Sequence, residues 1–132
     1  MKNYFVYVTA KDVSEARKLG RALLKDRLAA CVNILGPMES MYWWKGAVQN
    51  DNEVALIAKT TGRTLDALIR KVLSIHSYDV PCVVALPIAK GNPAFLRWIE
   101  NETRGVRLPG SFTARSGEMA PKRRRLSTAR RA

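Results

Sequence analysis

Three side chains in this sequence are of the types that hold soft or borderline metal ions: Cys31, His76 and Cys82. A thiolate suits Cu(I) or zinc through its polarizability, and an imidazole suits Cu(II) or zinc through its nitrogen. Their spacing forms no local metal knuckle, since neither CxxC nor HxxH occurs. Any shared site must therefore be assembled by the fold. The competing reading makes the cysteines small buried apolar residues and His76 a cation at a helix C-terminus. A second set is Lys59, Arg63, Lys90 and Arg97, with Tyr78 and Asp79 on a loop beside them. It fits an anion or small polar ligand held in a cleft between subunits, against the plainer reading of a solvated surface. Gly91-Asn92-Pro93 is a helix start whose backbone N–H groups face an anion no better than those of any other helix. Catalytic chemistry finds little: one histidine, no serine in a G-x-S-x-G elbow, and no paired carboxylates flanking a candidate cleft. The expectation is a protein that is not an enzyme.

The elements that would position these groups lie in a short chain. Its 132 residues fit one domain, and 47% apolar with 26% charged residues is a globular composition. The net charge of +12 is unevenly spread. Residues 104–132 hold nine basic residues and one acid, Glu118, whereas residues 1–103 hold 14 basic and 10 acidic ones. The chain thus divides into a domain over 1–103 and a basic C-terminal tail over 104–132, expected to be disordered. Nucleic acid or another polyanion, if bound, belongs to that tail and its Pro121-Lys122-Arg123-Arg124-Arg125 run. The longest apolar run, Val80 to Ala89, contains two prolines and is too short to cross a bilayer. Two cysteines make no disulfide framework, so the expected setting is the cytoplasm.

Tyr4 to Thr9 is aromatic and β-branched, a strand. Asp12, with Glu15 three residues on, caps a helix whose apolar face is Val13, Ala16, Leu19, Leu23 and Leu24. Cys31 to Trp44 is a long strand bent at Gly36-Pro37, and Lys45-Gly46 or Gln49–Asn52 turns it back. A strand over Glu53–Thr61 follows, then a helix with Leu65, Leu68, Ile69, Val72 and Leu73 on one face, which stops near His76. Cys82–Ile88 is the last strand, and Asn92-Pro93 opens a terminal helix. The order β-α-β-β-α-β with right-handed crossovers is the α+β, ferredoxin-like plaited sheet of strand order 4-1-3-2, here with an added C-terminal helix. In that order Cys31 and Cys82 are expected at one end of the sheet on opposite edges, about 14 Å apart, too far for a disulfide or a shared metal within one subunit. An RNA-recognition domain has the same element order. It needs aromatics on its central strands, and Glu53 to Ala58 has none.

Two conflicts predict a homo-oligomer. Helices on one face of a sheet should leave alternating apolar and polar residues on the strands, yet Tyr4 to Val8 and Cys82 to Leu86 are apolar throughout. The second strand, fourteen residues long, would run about 46 Å if straight, beyond the domain's own dimensions. Its tip carries Met41, Tyr42, Trp43 and Trp44, costly to leave in water. Tyr42, Trp43, Trp44 and, on the terminal helix, Trp98 are the expected interface residues.

Five segments carry a resemblance: Leu28–Ile34 (LAACVNI), Tyr42–Gly46 (YWWKG), Lys59–Thr61 (KTT), Tyr78–Pro81 (YDVP) and Gly91–Ile99 (GNPAFLRWI). Together, in order over residues 3 to about 101, they closely resemble the CutA divalent-cation tolerance family. The resemblance implies a homotrimer of ferredoxin-like subunits with the sheets turned inward, similar to the PII signalling proteins. It further implies a role with copper or another divalent cation, with Cys31 and His76 as the matching metal-ligand positions, and no catalytic machinery. The alternative within this architecture is a PII-like trimer binding a small ligand in its intersubunit clefts, with Lys59, Tyr78 and Asp79 as ligand residues. The chain departs from the family pattern at Ser77, where proline is usual, and at Cys82, where glutamate is usual.

Overall fold

The computed structural model of the chain describes residues 2–104. The basic segment beyond them, with its expected disorder and polyanion binding, lies outside the described residues. The elements run β1 (Asn3–Ala10), α1 (Val13–Lys25), β2 (Cys31–Trp44), β3 (Ala47–Thr61), α2 (Gly62–Ile75), β4 (Val83–Pro87) and α3 (Pro93–Arg104). The four strands form one antiparallel sheet in the order β2-β3-β1-β4. This is the predicted plaited topology, and helix α3 carries the domain through Arg104.

Side chains of one parity on the strands face the two long helices. Val6, Val8, Leu56 and Ala58 pack there with Ala16, Leu19 and Leu23 of α1 and Leu68 and Val72 of α2, all without exposed surface. The apolar faces of the helices are narrower than their sequences suggest. Leu24 and Leu73 are 42% and 51% exposed, because each lies one position beyond the stripe that reaches the sheet. Helix α1 begins where the sequence places it, with the Asp12 carboxylate accepting the Glu15 N–H at 2.8 Å.

The other parity forms a second face whose rows follow from the pairing: Cys31–Lys59–Phe5–Leu86, then Asn33–Ile57–Tyr7–Val84. Helix α3 covers only the end of this face. It is tied there by the Asn3 side-chain amide donating to the Leu96 carbonyl and by contact between the Thr61 and Thr103 hydroxyls. Val84 and Leu86 stay 51% and 55% exposed. The conflict in the sequence is therefore real in three dimensions.

The hairpin is longer than its sequence signals. Gln49–Asn52 is strand rather than turn, and the reversal is made at Lys45-Gly46, both with positive φ (50° and 82°). Two such residues make the tight turn whose twist matches antiparallel strands. A register shift between Leu35 and Met38 bends β2 as expected at Gly36-Pro37. Gly36 has φ of 143°, and a Cβ placed on it would meet the Val54 Cα at 3.2 Å and the Glu53 carbonyl at 3.4 Å. At Gly46 a Cβ would have nothing within 4 Å. Gly36→Ala therefore combines a disfavoured backbone with a collision against another strand, and is expected to cost about 1–3 kcal/mol. Gly46→Ala should cost less. Urea unfolding of both variants measures the difference, and a greater loss at Gly46 would contradict the account of the bend.

Candidate functional site

Where the hairpin bends over the sheet it leaves a cleft of about 930 Å³. Its floor comes from β1 (Tyr7, Thr9), its wall from β2 and β3 (Met38, Tyr42, Trp44, Asp51, Glu53) and its far side from the α2–β4 connection (Tyr78, Asp79, Cys82). Tyr7 lies on the open face of the sheet, and its hydroxyl meets the Met38 sulfur at 3.8 Å.

The connection after α2 is held by a buried polar cluster. Glu15 is 7% exposed. Its Oε1 accepts the Lys11 N–H at 3.0 Å and its Oε2 the Ser77 N–H at 2.8 Å. His76, whose side chain has no exposed surface, is engaged at both ring nitrogens. Nε2 lies 2.7 Å from the Thr9 carbonyl and Nδ1 accepts the Tyr78 N–H at 3.1 Å. A carbonyl can only accept, so the bonded ring is a neutral imidazole with its proton on Nε2. The next link is Tyr78, whose ring lies 4.7 Å from that of His76 and whose hydroxyl donates to Glu53 Oε2 at 2.7 Å. Glu53 itself is only 9% exposed. Burial first, and then the Glu53 carboxylate, keeps the Tyr78 hydroxyl protonated well above its ordinary range. Burial and Glu53 likewise push the Cys82 thiol up, against a lowering by hydrogen bonding at Thr9. Across the cleft the Tyr42 hydroxyl donates to Asp51, which raises its pKa.

The residues singled out in the sequence separate into distinct places. Tyr78 and Asp79 line the cleft together. Lys59 is six residues along β3 from Glu53, roughly 20 Å, and bonds the Asn33 side chain instead. Cys31 pairs across from Lys59 at the same far end. His76 sits by Thr9 at the cleft end, so a single subunit does not bring Cys31 and His76 together. The cysteines are at opposite ends of the sheet, contrary to the expectation that they share one. β4 runs antiparallel to β1, and β1 runs parallel to β2 across β3, so the starts of β2 and β4 point away from each other. Neither is in a disulfide. Among the described residues no group of three or more His, Cys, Asp or Glu converges as metal ligands do. Tyr42, Trp43 and Trp44 are exposed at the hairpin tip. Trp98 is 9% exposed, stacked on Phe95 at 5.5 Å within its own chain. Sequence reading missed Tyr7 and Glu53 as cleft residues. The available signal for Glu53 was an acid directly before the apolar run Val54–Ala58, a costly place unless a donor such as Tyr78 meets it.

The burial of Glu15 raises its pKa, but the hydrogen bonds it accepts from Lys11 and Ser77 outweigh it and hold the carboxyl below its ordinary value. A carboxyl depressed in the folded state stabilises above its unfolded pKa, near 4.3, and loses that contribution as pH falls through the folded value. Urea unfolding between about pH 3 and pH 6 should show stability falling on acidification. The slope should be shallower in Glu15→Gln. An unchanged slope in the variant would remove Glu15 as its source.

Residues 4–102 match the family described as CutA1 divalent ion tolerance protein. A chloroplastic CutA protein of rice is 48% identical over 99 residues, covering 75% of this chain and 56% of that one. The chain thus spans just over half the length of this plant relative. The divalent-cation tolerance protein CutA of Thermus thermophilus is 43% identical over 98 residues, covering 74% of this chain and 95% of that protein. Among solved structures, rice CutA1 superposes with a TM-score of 0.75 at 45% identity, covering 77% of this chain and 94% of the rice chain. The CutA structure from Archaeoglobus fulgidus, described as periplasmic, superposes with a TM-score of 0.74 at 39% identity, covering 76% of this chain and 98% of that one.

Proposed function

The chain belongs to the CutA1 divalent ion tolerance family, and from that membership we propose that it acts as a non-enzymatic, homotrimeric divalent-cation tolerance protein, with copper as the ion. The observation that carries the assembly is the second sheet face. Phe5, Tyr7, Ile57, Val84 and Leu86 form an apolar surface that α3 leaves largely uncovered, beside a hairpin tip on which Met41 and Trp43 are 67% and 74% exposed. Two further copies of the chain are occupants of matching chemistry, because each brings the same apolar face and the same aromatic clasp.

The cation enters this reading as cargo. Residues of one subunit do not fit a metal site, since His76 has both nitrogens engaged and Cys31 lies at the other end of the sheet. The proposal therefore places the ion between copies, with Cys31 as the ligand this chain contributes. Cys31 is half-buried on the edge strand and on the open face, where an equivalent donor from a neighbour can approach. His76 is assigned instead to holding the Tyr78 loop. We place the protein in the cytoplasm, supported by two cysteines that form no disulfide. A second reading, a PII-like trimer that binds a small ligand, is favoured by the cleft at Tyr78 and Asp79.

Native mass spectrometry of the full chain should give a species at three times 14.8 kDa. Trp43→Ala should weaken association by about 2 kcal/mol, roughly thirtyfold in the constant. A folded monomer at nanomolar dilution contradicts the assembly. Copper titration should show binding that Cys31→Ser abolishes, and copper binding unaffected by that change would dismiss the intersubunit thiolate.

A further inference from the structure

Charge is unevenly divided between the two sides of the domain. The exposed residues of α1 include Arg17, Lys18, Arg21 and Lys25 and no acid. Beside them on α2, Arg63 and Arg70 are exposed, with Asp66 the one exposed acid. The other charged residues of 1–103 are close to balance, eight basic to nine acidic. Among the described residues none of these six cations is in an ion pair, and Asp26, at the end of α1, is taken by Lys71 at 3.1 Å.

Helix stability does not account for this arrangement. The helix macrodipole favours cations in the last turn, which covers Lys25 alone. Arg17, Arg21 and Lys25 follow one another at four-residue intervals, about 6 Å apart along one side of the helix. Like charges so spaced repel and destabilise the helix that carries them. A second feature points the same way. Arg27, just after α1, donates to the Glu102 carbonyl at 3.1 Å and to its carboxylate at 2.8 Å, and Arg63 donates to the Thr103 carbonyl at 3.2 Å. The last turn of α3 is thereby fastened to the end of the helix layer at which Lys25 and Arg63 lie. From that point the chain continues into residues 104–132, nine basic to one acidic.

We propose that the outer face of α1 and α2 is a binding surface for the phosphodiester backbone of a nucleic-acid duplex, continued by the basic segment that starts at Arg104. A polyphosphate relieves the repulsion along the row and releases counterions as each cation takes their place. Arg17, Arg21, Arg63 and Arg70 offer the fork of donors that matches phosphate oxygens. A duplex is favoured over a single strand because neither helix carries an aromatic ring on which bases could stack. A lipid surface is disfavoured because interfacial helices bury an apolar face. That of α1, Ala16, Leu19 and Leu23, is already taken by the sheet, which leaves Leu24 and Leu73 as the exposed large apolar residues of the two helices. The basic face lies across the sheet from the surface assigned to assembly, so association through that surface leaves it open. The inference extends the polyanion expectation from the basic segment to the folded domain, and it rests on neither the copper nor the small-ligand reading.

Fluorescence anisotropy of a mixed-sequence DNA duplex titrated with the full chain, and of the RNA duplex of the same sequence, tests the surface between about 50 and 200 mM sodium chloride. Binding is expected to weaken with salt, each phosphate contact adding about 0.9 to the slope of log K against log salt. In the full-length variant Arg17→Gln, Arg21→Gln, Lys25→Gln, affinity at the lower salt should fall about tenfold or more and the slope by about 2–3. Glutamine is a good helix former, and the variant Arg17→Lys, Arg21→Lys should keep the original slope. The tighter of the two duplexes identifies the source of the backbone. Absence of binding to both duplexes overturns the proposal, as does an unchanged slope in the glutamine variant or an equal loss in the lysine variant. A loss confined to Arg123→Ser, Arg124→Ser, Arg125→Ser returns the polyanion to the basic segment and overturns the part given to the helices. Tighter binding to phosphatidylserine vesicles than to either duplex, lost in the glutamine variant, replaces nucleic acid by a membrane and overturns it equally.

Discussion

The molecule is organised around a sheet that is apolar on both faces while its own helices can cover one. The face towards α1 and α2 closes completely over Val6, Val8, Leu56 and Ala58. The opposite face receives only α3, at the Asn3–Thr61 end. A four-stranded sheet cannot leave rows such as Leu86–Phe5 and Val84–Tyr7 in water without forgoing a large share of its hydrophobic stabilisation, about 25 cal/mol for each Å² left uncovered. The long hairpin follows the same logic. It carries Met41, Trp43 and Val48 away from the domain's own core, which is economical only where another surface receives them.

His76, one of the metal-ligand positions offered by the sequence, is engaged at both ring nitrogens within the fold. His76 uses one nitrogen on the Thr9 carbonyl and the other on the Tyr78 N–H, while Glu15 collects the N–H groups of Lys11 and Ser77. Glu15 and His76 are the buried members of this cluster, and their hydrogen bonds to the Ser77 and Tyr78 N–H groups hold the start of the connection after α2 in place. A proline at position 77 would lack one of these donors. The serine keeps a backbone N–H, and that N–H is used by Glu15.

Element order, strand order and the capping of α1 are legible from the chain, because they follow from local periodicity and from short signals such as Asp12 with Glu15. The exposed second face is legible too, as a violation of alternation. What escaped is relational. The reach of β3 back to Ala47 is hidden by Gln49–Asn52, whose residues favour turns but here pair with Glu39–Tyr42, since a partner strand overrides weak local preference. The placement of Cys31 and Cys82 depends on chain direction across two intervening strands, a property of pairing rather than of either residue. Lys59, on β3, and Tyr78, in the connection before β4, lie towards opposite ends of the sheet, as the register with Cys31 and the bond of Tyr78 to Glu53 show.

The hairpin serves two surfaces at once. Tyr42 and Trp44 alternate with Trp43 along β2, so the strand turns the first two rings towards the cleft and the last away from it. Whatever seats Trp43 also fixes the height of the cleft wall, because a strand paired along Met38–Trp44 with Ala47–Glu53 moves as a unit. In the proposed assembly, occupancy of the cleft by a ligand and association through the tip would therefore be thermodynamically linked. A ligand that prefers one hairpin position favours the assembly holding that position, and the assembly raises the ligand's affinity by the same factor. The bend at Gly36 is where the hairpin leaves the sheet. Gly36 packs its backbone against Val54 and the Glu53 carbonyl, next to the carboxylate at the back of the cleft. Glu53 and Tyr42 take their positions from the hairpin, whereas Tyr7 takes its position from the pairing of β1 within the sheet.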